Sequence, residues 1–106
     1  MISRIWRSWT TPETADAYEQ LLRSEIFAGI TDRRISGFLG IDLVRRSLET
    51  SVEFVTIMWF ESTDAVRAFA GPDYEAAVVP PAAQRLLDRF DLRSAHCDVR
   101  ERRSSQ

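Results

Sequence analysis

Lysine and asparagine are absent from this chain of 106 residues, and histidine and cysteine occur once each, as His96 and Cys97. Without lysine there is no Schiff-base amine, no pyridoxal anchor and no phosphate-loop lysine. One histidine and one cysteine cannot build a zinc site of the usual multi-His or multi-Cys type, and the carboxylates show no ligand spacing, so no metal site is expected. A lone cysteine closes no internal disulfide, which suits a reducing compartment, and the cytoplasm is the expected location. No apolar run nears the roughly 20 residues of a membrane span. The opening Met1-Ile2-Ser3-Arg4-Ile5-Trp6 lacks the sections of a signal peptide. A formal net charge of −2 offers no field to draw nucleic acid, so neither nucleic acid nor membrane is expected as a partner.

What is present reads as one domain over residues 1–100 with a polar tail at 101–106. Ile2 to Trp9 mixes β-branched and aromatic residues with polar ones and predicts a strand. Thr10 and Glu13 are spaced as a capping box, and Tyr18, Leu22, Ile26 and Ile30 recur every four residues, so a helix should follow and end between Gly29 and Arg34. Phe38–Arg46 and Val52–Phe60 predict a hairpin of strands joined by a polar turn at 47–51. Ser62 and Asp64 offer caps for a second helix that stops at Gly71-Pro72. Pro80-Pro81 should open a third helix carrying Ala83, Leu86, Leu87 and Phe90. Leu92–Arg100 predicts the last strand. The order is that of an α+β, ferredoxin-like split β-α-β fold with an antiparallel four-stranded sheet, its first and third strands central.

The third strand is apolar on both faces: Phe54, Met58 and Phe60 on one, Val55, Ile57 and Trp59 on the other. Helices cover one side of such a sheet. The other would leave a large apolar patch, which predicts a homodimer pairing sheet against sheet.

The run Thr56-Ile57-Met58-Trp59-Phe60-Glu61-Ser62-Thr63-Asp64-Ala65-Val66-Arg67-Ala68-Phe69 resembles the antibiotic-biosynthesis monooxygenase-like family of dimeric α+β barrels. The shared elements are the strand-ending Phe60, then Ser62, Asp64-Ala65 and Phe69 on the helix. The resemblance implies a pocket between sheet and helices that holds a small apolar or aromatic molecule, such as a polyketide phenol. It implies oxidation by O₂ without metal or flavin, hence no cofactor. Haem-degrading relatives carry a histidine just after the second helix; here that segment reads Tyr74-Glu75-Ala76-Ala77-Val78-Val79. A non-catalytic binding or pathway-accessory protein, and a polyketide cyclase or isomerase, remain open beside the monooxygenase.

Within that frame His96 is the one side chain that titrates near neutrality and the candidate to take a proton from a phenol; otherwise it is a histidine bonded at a sheet edge or dimer contact. Tyr74 lies where a lid would be and is the second catalytic candidate, or else a surface tyrosine covering a helix end. Trp6, Trp59 and Phe69 are candidates to touch the ligand, with core packing as the plain alternative. Arg7 could orient an anionic substrate, or simply pair with an acid. Cys97 alternates with His96, so the two point to opposite faces and form no thiolate–imidazole pair.

Overall fold

The polarity of the first strand sets the layout. In a computed structural model, which describes residues 1–105, β1 (Ile2–Thr10) runs through the middle of an antiparallel sheet. The rest follow in order: α1 (Pro12–Leu21), a π-helical turn (Leu22–Ile26), α2 (Phe27–Asp32), β2 (Phe38–Ser47), β3 (Val52–Phe60), α3 (Thr63–Ala70), α4 (Pro81–Gln84), β4 (Arg89–Phe90) and β5 (Ala95–Asp98). The strand order is β2-β3-β1-β4, with β5 also against β1. This is the ferredoxin-like arrangement with β1 and β3 central. Residues 101–105 carry no regular structure and are exposed; Gln106 lies outside the described residues.

Cross-strand partners point to the same face. Arg4 sits opposite Met58, Trp6 opposite Thr56, and Ser8 opposite Phe54, so the even-numbered residues of both strands face the helices together. Under α1, Ala15, Tyr18 and Leu22 pack with Val52, Phe54 and Ala83. Beneath α3, Ala65 and Val66 pack with Met58 and Phe60. The core is therefore two clusters, and Trp6 and Thr56 stand at the seam between them. The odd-numbered face, with Ile5, Val55, Ile57 and Trp59, has no helix over it.

Three sequence expectations change in detail. The helix cap is Thr11 rather than Thr10, and it makes no side-chain cap bond; Thr10 is instead fully buried as the last residue of β1. The helix after Pro80 ends at Gln84, because the chain turns to feed the edge of β1: the Asp88 N–H donates to the Trp9 carbonyl and the Asp91 N–H to that of Arg7. Phe90 thus belongs to β4 and not to a helix face. The last strand is broken between β4 and β5, where Ser94 N–H donates to Glu75 O and Ala77 N–H to Leu92 O. That detour knits 91–94 to the segment after α3. By contrast the hairpin turn closes as expected, Leu48 N–H to Ser51 O at 2.8 Å. Ser62 caps α3 by accepting from Ala65 N–H.

Gly37, just before β2, has φ +86°, and a Cβ there would meet the Ala65 Cβ at 2.7 Å. Its carbonyl also accepts from Glu61 N–H at 2.8 Å, so backbone and helix cannot both yield. Gly37→Ala should lower unfolding stability in urea by about 1–3 kcal/mol. Gly29→Ala, in α2 with nothing within 4 Å of the added carbon, should raise it by about 0.5–1 kcal/mol. Equal stability of Gly37→Ala and the parent would refute the close packing of α3 on this turn.

Candidate functional site

The seam between the two core clusters is open. Trp6, Tyr18, Leu22, Ile26, Phe27, Ile30, Ile41, Thr56, Met58, Phe69, Val78, Val79, Pro80, Ala83, Arg4 and Ser94 surround a cleft of about 60 Å³ that opens to solvent. That space holds a few waters and is smaller than the roughly 300–1,000 Å³ of small-molecule sites. A fused-ring ligand therefore needs the wall of the cleft to move outward. Its outer wall is lightly held. Val78 is half exposed, and the bond that holds Val79 is the one its carbonyl accepts from the Gln84 side chain.

The helical wall owes its shape to the π-turn. Leu22 and Ile26 belong to it and both line the cleft. Single π turns inside α-helices widen the coil locally and recur at functional sites. Ser24, on the same turn, donates to Gln20 O at 2.6 Å, a back-bond of the kind that bends helices.

The sheet wall is polar. Tyr18 and Ser8 share a buried hydrogen bond of 2.9 Å, and burial raises the tyrosine pKa, with Ser8 opposing. Thr56 and Ser94 are buried, and Ser94 Oγ has no partner. Arg4 is only 4 % exposed. Its guanidinium donates to the carbonyls of Tyr74 and Ala76 and to His96 Nε2, the last two at 3.1 and 3.0 Å. It also lies 5.4 Å from the centre of the Phe69 ring. Burial pulls its pKa below the ordinary guanidinium value, to about 10, so it stays charged at neutral pH.

The six residues singled out from sequence divide three ways. Trp6 and Phe69 line the cleft, Trp6 anchored by its indole N–H to Asp91 O at 2.7 Å. Tyr74 and His96 sit behind Arg4, their rings edge to face at 5.1 Å, and neither lines the cleft. Arg7 and Trp59 are on the other face of the sheet: Arg7 pairs with Glu53 at 3.5 Å, and Arg102 lies over Trp59 at 5.6 Å. Placing Trp59 beside Trp6 because both strands are central overlooked parity: Trp6 opposes Thr56, and Trp59 opposes Ser3. Arg4, Tyr18, Thr56 and Ser94 were not singled out. A usable signal existed, since Arg4, Ser8 and Thr10 fall on one parity of a strand too central to have a wet helix-side face.

An arginine N–H can only donate, so His96 Nε2 is the acceptor and the proton sits on Nδ1, which is buried without a partner. Its lone pair is occupied by Arg4 and not offered to the cleft. Among the described residues no group of three or more His, Cys, Asp or Glu side chains is placed to hold a metal. Among the described residues no imidazole, thiolate or carboxylate lines the cleft.

A family model for antibiotic biosynthesis monooxygenases matches residues 1–80. No curated protein matches the sequence. Among solved structures, a Bacillus cereus protein described as an antibiotic biosynthesis monooxygenase superposes with a TM-score of 0.70 at 14% identity, over 98% of this chain and 97% of its own. The monooxygenase from ActVA-Orf6 of Streptomyces coelicolor, in complex with nanaomycin D, gives 0.61 at 16% identity over 99% and 92%. SnoaB, a cofactor-independent oxygenase from Streptomyces nogalater, gives 0.59 at 20% identity over 95% and 94%. At these identities the likeness is one of fold.

Burial and then the Arg4 charge lower the pKa of His96, with Glu75 opposing. The chain's only imidazole should therefore titrate below 6.5, and Arg4→Gln should move its NMR midpoint upward. Because the folded value lies below the unfolded one, His96 contributes stability that is full above about 6.5 and lost as pH falls through its folded pKa. A midpoint at or above 6.5 in the parent would refute the contact with Arg4.

Proposed function

Since the chain belongs to the antibiotic biosynthesis monooxygenase family, we propose that it is a homodimer whose cleft binds a small aromatic, polyketide-like molecule and oxidises it directly with O₂. The observation that carries this reading is the cleft itself. It is a largely apolar slot walled by the aromatic rings of Trp6, Tyr18, Phe27 and Phe69, with Arg4, Thr56 and Ser94 as polar groups in its lining. Flat rings suit such walls, and a few convergent polar groups suffice to orient a phenol or quinol.

The chemistry balances without a further reductant. When an anthrone-type CH₂ becomes a carbonyl, one atom of O₂ enters the product and the other leaves as water, with all four electrons drawn from the substrate. The protein's part is to desolvate the ring, hold it still and exclude bulk water. A second reading has its own support. Neither His96, Tyr74 nor Arg7 opens onto the cleft, and the phenol that does, Tyr18, is bonded to Ser8, an arrangement that serves a non-catalytic binding protein equally well.

Dimerisation is supported by the uncovered sheet face. Ile5 opposes Ile57, and Val44 opposes Val55. Val44 is 49 % exposed and Leu39 51 %, an apolar surface on a chain with no helix to cover it. Two copies meeting on this face would bury it, with Arg7, Arg46 and Glu53 as a polar rim.

Oxygen uptake with a panel of anthrones and quinols tests the first reading. Val79→Trp, which fills the mouth from its loosest wall, should reduce uptake by roughly ten-fold or more while leaving thermal unfolding near that of the parent. Binding without uptake across the panel selects the non-catalytic reading; no binding at all removes both. For the dimer, sedimentation equilibrium at micromolar concentration should give twice the chain mass, and Ile57→Arg should give the monomer. A parent that sediments as a monomer would overturn the sheet-to-sheet pairing.

A further inference from the structure

Arg4 is a buried charge with no counter-charge among the described residues. No carboxylate among the described residues forms an ion pair with it, although thirteen other arginines share the chain and Arg7, Arg23, Arg45, Arg46, Arg67, Arg93 and Arg103 all have acidic partners. Its three hydrogen bonds go to two peptide carbonyls and a neutral imidazole. These satisfy geometry without neutralising charge, and they leave two of the guanidinium's five N–H groups unassigned. Securing the 74–76 loop explains the carbonyl bonds but not the choice of a permanent cation. Leaving a charge buried and unpaired normally costs several kcal/mol, so a residue held this way inside a cleft is arranged for something that arrives.

A second group points the same way. Ser94 is 4 % exposed, lines the cleft as Arg4 does, and its hydroxyl has no partner among the described residues. It is held there by its own N–H, which donates to Glu75 O at 2.7 Å, next to the Tyr74 and Ala76 carbonyls that fix Arg4. The cleft is thus lined by a cation from β1 and by a hydroxyl from the break between β4 and β5.

We propose that the cleft takes its aromatic ligand as an oxyanion, an ionised phenol or enol, whose charged oxygen is received by Arg4 and Ser94. The inference rests on the reading of the cleft as an aromatic site and specifies the charge state it selects. Charge-assisted bonds to a guanidinium in a desolvated site are among the strongest a ligand makes. His96 then has a role other than the proton acceptor expected from sequence: it is a positioning residue, orienting Arg4 through Nε2.

Calorimetric titration at pH 7 with two probes of nearly the same shape separates charge from fit: 2-hydroxy-1,4-naphthoquinone, an acidic enol ionised at that pH, and its neutral 2-methoxy ether. The parent should bind the anion at least about ten-fold more tightly than the ether, the gain from one charged hydrogen bond. Arg4→Gln should bring that ratio close to one without weakening the ether. Arg4→Lys should restore part of it, and His96→Ala should reduce it. Should Arg4→Gln not fold, Ser94→Ala carries the test, with loss of affinity confined to the anion. Equal binding of both probes by the parent, or a ratio that survives in Arg4→Gln, overturns the oxyanion inference while leaving the aromatic site standing. Binding of neither probe overturns both.

Discussion

The ladder between β1 and β3 is the constraint on which the rest depends. It runs without slip from the Ile2–Phe60 pair to the Thr10–Val52 pair, and side chains alternate strictly along each strand. Once that register is set, every even residue of both strands faces the helices and every odd one faces away. A slip of β1 by one position would carry Arg4, Ser8 and Thr10 out to the bare face and bring Arg7 inward. Cleft and apolar sheet face are therefore two consequences of one pairing.

That pairing places a polar strand where a core would ordinarily be most apolar. Ser8 is answered by Tyr18 and Arg4 by the 74–76 loop; Thr10 Oγ1 and Ser94 Oγ are answered by nothing among the described residues. The polar stripe keeps the apolar cluster under α1 from merging with that under α3, and the cleft lies along it. Local violations of core packing of this kind are expected where a site has been built at the expense of the fold.

Much of the fold was legible because its signals are local. The four-residue period from Tyr18 to Ile30 marked the long helix, alternation and a polar turn marked the hairpin, and Ser62 marked the start of α3. The misplaced pieces are those settled by distant partners. Leu86 and Leu87 continue a helical pattern, yet Asp88 leaves it because the exposed edge of β1 needs donors. The π-turn has no residue signature: nothing in Leu22-Arg23-Ser24-Glu25-Ile26 departs from an ordinary amphipathic helix.

The candidate site was half legible. Trp6 and Phe69 could be placed at a pocket from their elements alone, while Trp59 and Arg7 could not be told from inward residues on strands where both parities carry large side chains. By itself the sequence determined the classes of chemistry that are closed, the order of the elements and the double-sided greasiness of β3, because composition and short-range periodicity are properties of the chain. Only the tertiary structure decided which face each β1 residue occupies and that Arg4 is enclosed without an acid. It also decided that Ser94, ninety residues away, stands at the same cleft, since strand register and the break between β4 and β5 are fixed by hydrogen bonds between segments far apart in sequence.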